Sequence, residues 1–267
     1  MWLSRFFEHI VVISLAHRAD RRARVIRELQ SLGVDVGRTP GVELFDAIRP
    51  TEADGFPSAA RRGCFLSHRA VARRALEEGW DRVLVIEDDM VFTPAVHTAG
   101  PRLAADLDRR PWHVAFFGYL QAEFPPGGPD WQPVHPKRRG THCYAINGSI
   151  LPQLVEYMDL VTVREPGHPD GARFGADATY VMFGQRTPGC VTLMARPNLA
   201  VQGSSASDLS PKWFDLTPGI RNVASMARRV REALRQRSAW AAANRAAARS
   251  ANEEPADRNP RVQGVLD

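Results

Sequence analysis

The chain has 267 residues, 44% apolar and 24% charged, with a formal net charge of +5. That length buries one good core with room for a small annex, and the composition excludes a disordered or collagen-like chain. The three cysteines, Cys64, Cys143 and Cys190, are too few and too widely spaced for a disulfide framework or a zinc pattern, so a reducing compartment is expected.

No stretch approaches the ~20 apolar residues needed to span a bilayer. Residues 1–15 are apolar but interrupted by Arg5, Glu8 and His9 and lack a small-residue cleavage site, so no signal peptide is expected. Ile10-Val11-Val12-Ile13 reads as a strand buried on both faces. A basic loop follows, with Arg18, Arg21 and Arg22, and Asp20 is a candidate N-cap. Val25, Ile26, Leu29 and Leu32 recur at helical spacing up to Gly33, which is placed to end the helix. Residues 34–36 and 42–45 can form short strands. Residues 48–58 carry Pro50, Gly55 and Pro57 and read as a loop. A second helix is expected to open near Arg62 and run to Gly79.

Residues 83–92 organise the rest. Val83-Leu84-Val85-Ile86 reads as another doubly buried strand, and Glu87-Asp88-Asp89 follows at once. Unpaired carboxylates cannot stay in a core, so they should emerge at the strand's C-terminal end, where open α/β sheets bind ligands. A divalent cation relieves their mutual repulsion, and hard oxygen ligands suit Mg²⁺ or Mn²⁺. The plain structural alternative is an acidic strand end facing water. Further on, 101–108 reads as a helix and 113–118 as a strand. Residues 123–140 are dense in Pro and Gly and read as a long loop, with Trp131 a possible sugar-stacking platform. Strands are expected over 141–147 and 190–194, and helices over 149–158 and 176–183. Residues 202–210 form a Ser-rich loop carrying Asp208. Residues 218–238 are expected to form a basic amphipathic helix that either docks on the domain or meets an anionic membrane surface. Residues 239–267 read as a disordered tail. The basic end lacks interleaved aromatics apart from Trp213 and Trp240, so no nucleic-acid partner is expected.

Three segments carry a family likeness. They are Val11-Val12-Ile13-Ser14-Leu15 with Asp20-Arg21-Arg22; Gly63-Cys64-Phe65-Leu66-Ser67-His68 followed by Val85-Ile86-Glu87-Asp88-Asp89; and Gly140-Thr141-His142-Cys143-Tyr144-Ala145-Ile146-Asn147. A looser match involves Asp177, Gln202, Ser204, Ser205 and Asp208. In this order the set resembles glycosyltransferase family 25, the lipopolysaccharide and collagen galactosyltransferase-like family. The resemblance implies an α/β, GT-A type nucleotide-diphospho-sugar transferase fold, with a mostly parallel central sheet flanked by helices. The domain would span 1–217, with a nucleotide-binding half over about 9–120 and an acceptor half over about 121–217.

The same resemblance implies transfer of a hexose, galactose from UDP-galactose foremost, to a saccharide or glycolipid acceptor with inversion. Asp89, with Asp88 beside it, would hold Mn²⁺ or Mg²⁺, and Asp88 could instead work through water or the ribose. Glu87 would turn into the structure. Ser14, Leu15, Arg18 and Arg22 would line the donor site, and Arg21 and Arg22 offer forked donors to phosphate or are plain helix charges. Ser67 and His68 would hydrogen-bond the donor; the alternative is a helix-start Ser and a satisfied core His. An inverting displacement needs a carboxylate base, for which Asp177 is the first candidate and Asp170 and Asp208 the reserves. Asp177 could equally be an N-cap. A cytoplasmic location is expected, peripheral on the inner membrane face if the basic helix binds lipid. The rival reading is a non-catalytic nucleotide-sugar or glycan-binding relative.

Overall fold

The computed structural model describes residues 2–120, 128–135, 138–165 and 167–203. Asp208, the 218–238 segment and the 239–267 tail lie outside the described residues. In chain order the elements are α1 (Leu3–Phe6), β1 (His9–Ser14), α2 (Ala19–Ser31), β2 (Val42–Asp46), α3 (Ala59–Glu77), β3 (Arg82–Glu87) and β4 (Met90–Phe92). Then come α4 (Ala95–Thr98), α5 (Gly100–Leu107), β5 (Val114–Leu120), β6 (Trp131–Pro133) and β7 (Arg139–Asn147). Last are α6 (Leu151–Val163), α7 (Ala176–Arg186), β8 (Thr192–Ala195) and β9 (Ala200–Gln202).

The architecture is the expected α/β one, a central sheet with helices on both faces. Along the main path the strands run β2-β1-β3-β7-β5-β8-β6, with β9 joining β4 to β5. Pairing is mixed. The β2-β1-β3 end is parallel, whereas β7 enters antiparallel between β3 and β5.

Alternation along the strands builds two cores. Val83 and Val85 of β3, with Val11 and Ile13 of β1, face the layer of α3, α6 and α7. Leu84 and Ile86, with Ile10 and Val12, face the layer of α1, α2 and α5. Successive side chains point to opposite faces, so a strand covered on both sides must be apolar throughout. Each such side chain contributes about 1.5–3 kcal/mol of burial.

Several local expectations change. Residues 34–36 form no strand; Gly33 closes α2 with φ 73° and the chain turns directly toward β2. Asp20 is not the N-cap of α2 but lies inside its first turn, paired with Arg18 at 3.0 Å. The second helix starts at Ala59, capped by Ser58, whose side chain accepts the Arg61 amide. Ser67 is therefore mid-helix rather than at a helix start. The acidic strand is not continuous to Phe92: the chain turns at Asp88 and Asp89, which leave the sheet. Trp131 is buried at 2% exposure in β6, its Nε1 donating to the Leu103 carbonyl and its ring edge-on to Phe117. It is a core residue and not a stacking platform.

Candidate active site

β1 and β3 run parallel, so their C-terminal ends finish together. Ile13 stands in register with Glu87, and the Asp88 amide donates to the Ile13 carbonyl at 3.1 Å. Above these ends opens a cavity of about 680 Å³. Ser14 and Leu15 of the β1 end, Arg21 of α2, Cys64, Ser67 and His68 of α3, and Glu87, Asp88 and Asp89 all line it. Two of the three segments that carried the family likeness thus line one site, and the third, in β7, backs it through Thr141 and Tyr144.

The three carboxylates have different surroundings. Asp88 is held from both sides: Ser14 Oγ donates to Oδ2 at 2.7 Å, and Arg21 Nη1 reaches Oδ1 at 3.1 Å. Arg21 is itself buried, so a buried cation meets a buried anion. At least part of its guanidinium is committed to Asp88 rather than presented wholly to phosphate. Glu87 Oε1 accepts from Thr141 Oγ1 at 2.5 Å and lies 3.2 Å from His68 Nε2. Burial pushes the Glu87 carboxyl up, but the His68 and Thr141 contacts outweigh it and bring the group down to about 2.

Asp89 differs. Gln202 Nε2 donates to its Oδ2 at 2.8 Å, a contact set by the pairing of Met90 with Gln202 between β4 and β9. Its Oδ1 is buried without a hydrogen-bond partner among the described residues. Burial first, and then the Glu87 charge, push the Asp89 carboxyl up to about 7. A buried, unsatisfied carboxylate oxygen carries a real desolvation cost. A divalent cation answers both the orphaned oxygen and the crowding of negative charge, so the residues present fit a hard metal ion.

His68 is fully packed. Its Nδ1 lies 2.8 Å from Tyr144 Oη, which lies 2.8 Å from Tyr180 Oη. Ser67 Oγ donates to the Gly63 carbonyl at 2.7 Å and accepts the Ile48 amide at 2.8 Å. Gly63 is needed at the same place, because a Cβ there would stand 2.4 Å from the Ile48 carbonyl oxygen. Together Gly63 and Ser67 clasp the 48–50 wall of the cavity onto α3.

Other candidates stand farther out. Arg18 is paired with Asp20, and Arg22 bonds Asp46 and the Ser14 carbonyl; neither lines the cavity. Asp177 is in the first turn of α7, whose N-cap is Gly175, and its Oδ1 accepts the Ala178 amide. It is not a wall residue, yet its charge reaches Cys64 and adds to the rise that burial imposes on that thiol. Arg138 is buried, stacks over Phe116 at 3.7 Å and donates to the Asp177 backbone carbonyl at 3.1 Å, tying α7 to β7. Burial lowers that guanidinium to about 10. Asp170 is half exposed and lies 3.6 Å from Arg186.

Sequence reasoning did not foresee the Arg21–Asp88 pair, the Tyr144–Tyr180 support of His68 or the place of Cys64 on the cavity wall. Only the last had a readable signal, the i, i+4 spacing of Cys64 and His68 on one helix face.

Part of the chain is similar to known proteins. Residues 7–124 match the family described as glycosyltransferase family 25 (LPS biosynthesis protein). A glycosyltransferase 25 family member of Anopheles gambiae is 32% identical over 126 residues, 41% of this chain and 21% of that protein. A probable inactive glycosyltransferase 25 family member 3 of Bos taurus is 28% identical over 132 residues, 43% of this chain and 22% of that protein. Procollagen galactosyltransferase 2 of Mus musculus is 26% identical over 129 residues, 42% of this chain and 21% of that protein. The chain therefore spans about a fifth of the length of these relatives. Among solved structures, a glycosyltransferase involved in glycosylation of the major capsid of PBCV-1 aligns over 73% of this chain and 92% of that one. Its TM-score is 0.44 at 11% identity.

Proposed function

We propose, from the match of residues 7–124 to glycosyltransferase family 25, that the chain transfers a hexose from a nucleotide sugar to a saccharide acceptor. Galactose from UDP-galactose is the donor we favour, in keeping with the galactosyltransferase among its relatives. A glycan or glycolipid of the cell surface, lipopolysaccharide foremost, is the acceptor. The observation that carries the reading is the orphaned Asp89 Oδ1 in the wall of the cavity.

Asp89, with Asp88 beside it, would hold the Mn²⁺ or Mg²⁺. When bound, such an ion supplies positive charge for the departing diphosphate. Ser14 and Arg21 fix Asp88 and so fix the cavity floor. Leu15 and the 48–50 wall bound the space for the nucleotide, while both ring nitrogens of His68 face Tyr144 and Glu87, so it is a packed wall residue and not the donor contact its position in the sequence suggested. Transfer forms a bond from the acceptor oxygen to the anomeric carbon as the bond to the diphosphate breaks, and the anomeric centre inverts. The acceptor proton passes to a carboxylate, for which Asp177 is our choice: it lies behind the wall, its backbone tied by Arg138 and its charge reaching Cys64.

No helix of the described residues is long and apolar enough to cross a membrane. We place the reaction in the cytoplasm, with the Arg-rich 218–238 segment as its contact to an anionic membrane face.

The test is a panel of UDP- and GDP-sugars with Mn²⁺, read as nucleotide release with and without saccharide acceptors. Release from UDP-galactose that rises with acceptor supports the reading, and no release from any donor removes it. The name of the Bos taurus relative favours a second reading, a non-catalytic nucleotide-sugar binder. That reading gains if UDP-sugars raise the melting temperature while none is turned over.

A further inference from the structure

One group in the cavity is not explained by oxygen ligation of a hard cation. Cys64 and His68 stand one turn apart on the inner face of α3, opposite Glu87 at the end of β3. The Cys64 sulfur, a His68 ring nitrogen and a Glu87 carboxylate oxygen all lie within 4.8 Å of one another. Tetrahedral zinc ligands, at about 2.0–2.3 Å from the ion, stand roughly 3.3–3.8 Å apart, so small side-chain rotations close the trio.

The outer partners match as well. Ligating imidazoles are held through their second nitrogen, and ligating carboxylates are held by hydrogen bonds. His68 Nδ1 meets Tyr144 Oη at 2.8 Å, backed by Tyr180 Oη, which leaves Nε2 facing Glu87. Glu87 is gripped by Thr141. Thiol, imidazole and carboxylate form a borderline-soft donor set that suits Zn²⁺ and differs from the all-oxygen set at Asp89.

We propose that Cys64, His68 and Glu87 form a zinc-class metal site with three protein ligands and a fourth position open to the cavity. Binding releases the Cys64 thiol proton to solvent. His68 takes the tautomer with its proton on Nδ1, donated to Tyr144 Oη, and Nε2 ligates. The fourth position takes water or an anionic oxygen. The site does not depend on the sugar-transfer reading, because its donor atoms and its test are separate.

The experiment uses the full chain, stripped with chelator and titrated with Co²⁺ as an optical probe. The expected result is a thiolate-to-cobalt charge-transfer band that saturates near one equivalent and is displaced by Zn²⁺. Cys64→Ser should remove the band while leaving the melting temperature and circular dichroism of the metal-free protein in place. Glu87→Gln should weaken Co²⁺ binding about tenfold or more. Asp89→Asn should leave the band intact. Absence of the band at saturating Co²⁺, its survival in Cys64→Ser, or its loss in Asp89→Asn overturns the site. Cys143, buried in the sheet, and Cys190 provide the internal control, since a band from either would survive Cys64→Ser.

Discussion

Arg21 and Asp88, 67 positions apart in the chain, meet as a buried ion pair at 3.1 Å in the wall of the cavity. The pair links the first turn of α2 to the turn after β3. Removing one partner leaves the other charge buried and uncompensated, a cost of about 3–5 kcal/mol. Arg21→Ala and Asp88→Ala should each show a loss of that order in denaturant melts. The double variant should lose clearly less than their sum, and a double-mutant cycle measures the difference.

Asp89 should behave in the opposite way. Asp89→Asn removes a buried carboxylate that Glu87 repels, so the metal-free protein should be no less stable at pH 7.5 and could gain roughly 1 kcal/mol. Mn²⁺ plus UDP should raise the melting temperature of the unsubstituted chain, and the same change should abolish that rise. It should also cut transfer by about a hundredfold or more, about 2.7 kcal/mol of barrier. Thermal melts with and without Mn²⁺, beside the turnover assay, check both outcomes.

The pH dependence of stability follows from the same two acids. Asp89 is held near 7 in the folded chain, against about 3.9 when unfolded. Between those values the native state holds a proton that the unfolded state lacks, so stability falls as pH rises from about 4 through 7 and then levels. Glu87, brought down to about 2 from about 4.3, acts in the other direction: its stabilisation is full above about 4.3 and is lost as pH falls toward 2. In chelator, the unfolding free energy from urea melts taken from about pH 5 to 8 should fall by roughly 1–3 kcal/mol, and Asp89→Asn should flatten that slope.

Trp131 provides a control on the acceptor side. As a core residue of β6 it should cost about 3–5 kcal/mol when truncated to Ala. Trp131→Phe, which keeps most of the packing, should retain the acceptor KM. A large rise in KM with unchanged stability would return it to a sugar-binding role.

Much of the sheet was legible because β1, β3 and β5 are covered on both faces and carry unbroken apolar runs; β7 is as buried over residues 141–146 but includes the polar Thr141 and His142. The site was legible as a set of segments, since an acidic triplet directly after such a strand has few places to go. Partnership was not legible. Whether Asp88 or Asp89 keeps an oxygen free depends on Arg21, Ser14 and Gln202, all remote in sequence. The short strands β4, β6 and β9 exist through their pairing partners and not through their own three residues. Counting cysteines alone dismissed Cys64, because its companions are a histidine one turn along and a glutamate from another element.

The antiparallel insertion of β7 has a practical consequence. The match to the family ends at residue 124, but β3 and β5 pair with β7 and not with each other; residues 139–147 are the mortar between them. A fragment cut at 124 would keep the acidic turn and lose the strand that joins its two walls. It would expose two bare ladder edges and should come out of expression aggregated. Anyone grafting this cavity onto another scaffold must carry β7 along with it.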